Sequence, residues 1–126
     1  MLNILLLHSD VVLSRLLTDL LEESLRDYAI LREPPDRQTT AELRRFNPQI
    51  LIADGEAYGE ETVLEVRKAV PEVVTWIIGR DEAVLRRAIT YRAEVTSVAD
   101  HVNRNEFRIR LAHLRSRIQP HAHASA

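Results

Sequence analysis

The chain has 126 residues, 45% of them hydrophobic and 29% charged, with a formal net charge of −2 and no cysteine. That length and balance describe a single soluble globular domain, able to bury about two-thirds of the surface of its unfolded chain. The near-neutral charge argues against a dedicated nucleic-acid or anionic-membrane binder, which carries a large basic excess. The lack of cysteine excludes a disulfide framework, a thiolate catalyst and a cysteine-ligated metal.

Residues 2–7, Leu-Asn-Ile-Leu-Leu-Leu, read as a short buried strand that stops at His8-Ser9-Asp10. The apolar run Ile4 to Leu7 is too short for a signal-peptide core or a membrane span, and no basic segment precedes it, so a cytoplasmic location is expected. Val12, Leu13, Leu16, Leu17, Leu20 and Leu21 recur at helical spacing to about residue 24, with Asp10 at the N-cap position. Residues 28–32 predict a second strand, ended by Pro34-Pro35 because proline has no N–H to donate to a ladder. Thr39 or Thr40 caps a short helix carrying Leu43 and Phe46. It stops at Asn47-Pro48, because the residue before a proline avoids helical geometry.

A third strand covers 49–53 and ends at Asp54-Gly55. A turn with Gly59 then leads into a helix bearing Val63, Val66 and Val70, broken at Pro71. The fourth strand, 73–78, ends at Gly79 and is followed by a helix from about Asp81 to Ala93. A weaker fifth strand spans 95–99, and a last helix runs from about Asn103 to Ile118, with Phe107, Leu111, Leu114 and Ile118 on one face. Five βα units with short connections imply an α/β domain, a parallel sheet covered by helices on both faces. The domain is expected to occupy 1–118, with 119–126 a frayed tail or linker stump.

The βα order, the length and the lone Asp54 after the third strand resemble the receiver domain of two-component response regulators, across roughly residues 2–118. The resemblance implies the strand order 2-1-3-4-5 and a site at the carboxyl ends of the strands. Receivers place two acidic residues after the first strand, a phosphoaccepting Asp after the third, Thr or Ser after the fourth and Lys after the fifth. The acids hold Mg²⁺, which takes one or two carboxylates plus phosphate and water. The third-strand Asp is the nucleophile toward phosphorus.

This sequence keeps little of that set. Asp54 matches the phosphoacceptor, but the acidic pair falls on His8 and Ser9, and Asp10 lies one position further on. Gly79 stands at the Thr/Ser position, and about Asp100 stands at the Lys position, followed by His101. The chain's only lysine, Lys68, belongs to the third helix. The resemblance is thus to a degenerate receiver, a pseudo-receiver, with no cofactor expected and at most a weak Mg²⁺ site at Asp10 and Asp54.

His8 has two readings: a side chain satisfied by a backbone carbonyl or water, or a protonated ring beside Asp54 that replaces the missing cation. Asp10 reads first as the cap of the first helix. Glu56, Glu60 and Glu61 read as a solvated loop and helix start, where acids suit the helix dipole. His121 and His123 form a poor metal site on a tail, and no Gly-rich phosphate loop exists. Arg86, Arg87, Arg92, Arg104 and Arg108 concentrate positive charge in the last third of the chain. The bland reading is a solvated face with local ion pairs.

The receiver resemblance implies instead a partner surface formed by the fourth helix, fifth strand and fifth helix, where arginine's planar fork suits carboxylates. The expected function is therefore a non-enzymatic signalling module that binds a protein, itself as a homodimer or another, independently of phosphorylation. No nucleic-acid or membrane contact is expected. Two alternatives remain open: an atypical phosphoreceiver using Asp54, and a flavodoxin-like domain that binds a small molecule.

Overall fold

The computed structural model describes residues 1–32, 39–97 and 103–118. Five strands, β1 (Leu2–Leu7), β2 (Tyr28–Leu31), β3 (Ile50–Asp54), β4 (Val74–Gly79) and β5 (Glu94–Ser97), alternate with helices α1 (Val11–Ser24), α2 (Thr40–Phe46), α3 (Glu60–Ala69), α4 (Glu82–Thr90) and α5 (Arg104–Ser116). All pairings are parallel, in the order β2-β1-β3-β4-β5, which is the expected topology. Among the described residues no helix is long and apolar enough to cross a membrane.

Strand periodicity divides the core in two. On one face Ile4, Leu6, Ile50, Ile52, Val74, Trp76 and Ile78 meet Leu17 and Leu21 of α1 and Phe107, Leu111 and Leu114 of α5. On the other, Leu5, Leu7, Leu51, Ala53 and Ile77 meet Leu43 of α2, Val63 and Val66 of α3 and Ala88 of α4. β1, β3 and β4 are apolar on consecutive residues because both of their faces are covered.

Helix ends follow local chemistry. Asp10, Thr39, Asp81 and Asn103 each accept a backbone N–H from the first turn of α1, α2, α4 and α5. The helix expected from 81 to 93 ends at Thr90 instead. Arg92 takes a left-handed backbone, φ 65°, and both Tyr91 and Ala93 donate their N–H to the Ala88 carbonyl. That closes the helix and turns the chain into β5 one residue earlier than expected. Pro34-Pro35, residues 98–99 of the expected fifth strand and the tail 119–126 lie outside the described residues.

Trp76 is the largest fully buried side chain. Its ring lies 5.2 Å from that of Phe107, and its Nε1–H donates to Thr96 Oγ1 at 2.8 Å. A buried indole N–H without a partner carries a desolvation cost. Thr96→Val keeps the shape and removes the acceptor, so urea unfolding is expected to show a loss of about 1–3 kcal/mol.

Candidate functional site

The sheet order reverses between β1 and β3, so the crevice beyond their carboxyl ends is where a site belongs. There the segments after β1, β3 and β4 converge. His8, Ser9, Asp10, Leu13, Asp54, Glu56, Arg80 and Asp81 line a cleft of about 260 Å³. The residues singled out after the first, third and fourth strands thus do come together. Asp100 and His101 lie outside the described residues.

Asp54 is the last residue of β3 and is 8% exposed. Its Oδ2 accepts the Ser9 hydroxyl at 2.5 Å and its Oδ1 accepts the Glu56 N–H at 3.1 Å. The Ala57 and Tyr58 N–H groups bond its carbonyl oxygen, closing the turn that leads toward α3. Ser9, standing where receivers carry an acid, therefore donates to the carboxylate it would otherwise join in holding a cation.

His8 Nδ1 stands 3.9 Å from Asp54 Oδ2, beyond hydrogen-bond distance. The same nitrogen accepts the Asp10 N–H at 3.0 Å. An Nδ1 that accepts has no proton to donate, so the ring proton lies on Nε2. His8 is satisfied by the backbone, as in the blander of its two readings, but by an N–H rather than a carbonyl. The geometry does not make it a cationic partner of Asp54.

Asp10 caps α1, its Oδ1 accepting from Val12 N at 2.9 Å and Leu13 N at 3.1 Å. The Leu13 bond holds this carboxyl below the usual carboxylate range against a smaller opposing effect of burial, and the Val12 bond and the Arg80 charge act in the same direction as the Leu13 bond. Among the described residues no group of three or more His, Asp or Glu side chains is placed to hold a metal. Asp10 and Asp54 are the carboxylates that a weak Mg²⁺ site would draw on, and each already accepts hydrogen bonds within the protein.

Gly79 ends β4, and the space its missing side chain leaves is filled. Glu56 extends toward it, and its Oε1 accepts the Arg80 N–H at 2.8 Å. Sequence reasoning missed both partners. Glu56 read as one of several loop acids, and Arg80, an exposed rim residue whose charge reaches Asp10, was not singled out. The available signal was the Gly79-Arg80-Asp81 sequence, a strand end without a side chain followed by a free N–H just before a helix cap.

The arginines expected to form a partner surface are largely engaged. Arg86 pairs with Glu82 within α4, and Arg87 reaches Glu60 of α3 at 2.7 Å. Arg104 pairs with Glu23 at 2.9 Å, across the α1–α5 seam, so its charge is committed toward α1. Arg110, His113 and Arg117 of the last helical region converge on Glu94 of β5. Among the described residues Arg92 and Arg108 form no ion pair, and Ile89 and Ile109 are exposed on α4 and α5.

Solved structures share this architecture. A crystal structure from Burkholderia pseudomallei K96243, described as pilus assembly-related, aligns with a TM-score of 0.74 at 19% identity, covering 94% of this chain and 92% of that one. Another from Burkholderia thailandensis E264, described as the pilus assembly protein CpaE, gives 0.66 at 18% identity over 92% and 99% of the two chains. A designed Rossmann 2x3 protein gives 0.61 at 17% identity over 98% of each. At these identities the likeness establishes the fold alone, a Rossmann- or flavodoxin-like α/β architecture. No protein-family model matches the sequence, and no curated protein gives a significant match.

The depressed Asp10 carboxyl carries a signed pH effect. Its stabilising contribution is present above the carboxylate's unfolded pKa and is lost as pH falls through the lower folded value. Asp10→Asn retains a capping oxygen but does not titrate. The stability of the wild type relative to this variant is therefore expected to fall below about pH 4, as measured by denaturant midpoints across pH.

Proposed function

We propose that this chain is a degenerate-receiver signalling module that binds a protein, itself or another, without phosphorylation and without turning over a substrate. The carrying observation is the state of Asp54. Both carboxylate oxygens accept hydrogen bonds from within the protein, and the nearest basic nitrogen on β1's end, His8 Nδ1, is itself an acceptor. A phosphoryl group would add a charge of about −1.5 to −2 beside Asp10 and Glu56. Gly79 supplies no hydroxyl to meet it, and the chain's only lysine lies on α3.

The contact face assigned to this module is α4–β5–α5. Exposed Ile89 and Ile109 offer apolar anchors there, and Arg92 and Arg108 offer guanidinium groups for a partner's carboxylates. Two neighbours of the same architecture are described as pilus assembly proteins, which agrees with a module that works by contact in an assembly.

Two measurements test this. Amide NMR spectra of the wild type with Mg²⁺ and beryllofluoride, an aspartyl-phosphate mimic, are expected to show no saturable shift around Asp54. Saturable shifts that spread into α4 and α5 would establish the phosphoreceiver alternative instead. Separately, light scattering across a concentration series reads self-association, and Ile109→Glu with Arg108→Glu is expected to weaken it at least about ten-fold. Self-association unchanged by both substitutions would remove this face from the proposal.

A further inference from the structure

Glu56 is an exposed residue, yet both its backbone and its carboxylate are tied to other segments. Its N–H donates to Asp54 Oδ1, at the end of β3. Its Oε1 accepts the Arg80 N–H at 2.8 Å, beyond the end of β4. Its Oε2 lies where a side chain on residue 79 would begin. A Cβ built on Gly79 would stand 2.7 Å from that oxygen and 3.2 Å from Leu85 Cδ2 of α4. Gly79 has no positive φ, so the turn itself does not require glycine; a Cβ there would instead displace the Glu56 carboxylate.

The Arg80 N–H lies past the strand ladder and just before Asp81, the N-cap of α4. A charged acceptor there makes the stronger kind of hydrogen bond. The carboxylate therefore joins the loop after β3 to the loop after β4, at the point where α4 starts. In a receiver-like site the same space beside Asp54 is where the fourth-strand hydroxyl would meet phosphoryl oxygens.

From this we infer that Glu56 is a positioning residue, an internal anion that occupies the phosphoryl side of the cleft and pins the start of α4 in one arrangement without any phosphoryl group. For its consequence the inference rests on the phosphorylation-independent reading, since the pin holds the α4–β5–α5 face ready for a partner. The geometry of the pin does not depend on that reading. Glu56 replaces a reversible ligand by a permanent one, held at high effective concentration by its own loop.

Hydrogen exchange of the Arg80 amide in the labelled domain tests it. Glu56→Ala is expected to speed that exchange by about ten-fold or more relative to wild type, as loss of a charge-assisted bond implies, and to shift α4 resonances from Glu82 to Thr90. Glu56→Gln keeps an acceptor oxygen and should retain most of the protection. Gly79→Ala displaces the carboxylate by its new methyl group and should reproduce the Glu56→Ala effect in a domain whose circular dichroism is unchanged. Arg80 protection that survives both Glu56→Ala and Gly79→Ala overturns the pin. A wild type that responds to beryllofluoride overturns the phosphorylation-independent reading instead, so the two failures are distinguishable.

Discussion

The central strands of this protein are covered on both faces, and that constraint organises everything else. Along β1, Ile4 and Leu6 face α1 and α5 while Leu5 and Leu7 face α2, α3 and α4. A polar side chain in the middle of such a strand must find its hydrogen bond inside the core or incur a desolvation cost. Among the described residues the buried polar side chains are Asp54, Thr75 and Thr96. Thr96 serves Trp76, and Asp54 is already at a strand end. Thr75, whose hydroxyl has no partner among the described residues, is the exception. Functional chemistry is thus confined to the loops at the carboxyl edge, where β1, β3 and β4 end side by side.

At that edge carboxylates cluster, and the way they are balanced defines the site. Asp10 and Asp81 accept N–H groups from the first turns of α1 and α4. Asp54 accepts the Ser9 hydroxyl and the Glu56 N–H, and Glu56 accepts the Arg80 N–H. Receivers, by resemblance, balance such a cluster with a metal ion and a lysine, both of which come and go or respond to phosphate. Here the balance comes from fixed donors of the chain itself. Most of these donors are backbone N–H groups, fixed in place by the strand ends and helix starts that carry them.

The rim of the domain is stitched by ion pairs that join neighbouring elements: Arg87 with Glu60 between α4 and α3, Arg104 with Glu23 between α5 and α1, and the group around Glu94 between α5 and β5. Exposed pairs of this kind each contribute about 0–1 kcal/mol, so the fold does not stand on them. Their effect is to commit Arg87, Arg104, Arg110 and Arg117 to internal neighbours. Of the last third of the chain, Arg92, Arg108 and Arg115 form no ion pair among the described residues, and Ile89 and Ile109 are exposed on α4 and α5.

Local patterns alone marked the individual strands and helices, while the strand order followed from the receiver resemblance. Continuous apolar runs mark strands buried on both faces, and spacing of three and four residues marks the helical stripes. Asp10, Thr39, Asp81 and Asn103 announce helix starts because their short side chains can reach N–H groups two or three residues on. The same locality made Asp54 and the absence of receiver residues at His8, Ser9 and Gly79 legible, since both follow from position after a strand. What the sequence left open depended on contacts between distant segments. His8 is set by its distance from Asp54 and by the lone pair it gives to Asp10 N–H, and Arg104 by the presence of Glu23 across a helix seam. Glu56 is the clearest case: its bond to the Arg80 N–H, 24 positions along the chain, exists because the strand ends meet and Gly79 has no Cβ. Tertiary structure decided these because electrostatic and steric roles depend on distance in space, which local periodicity does not encode.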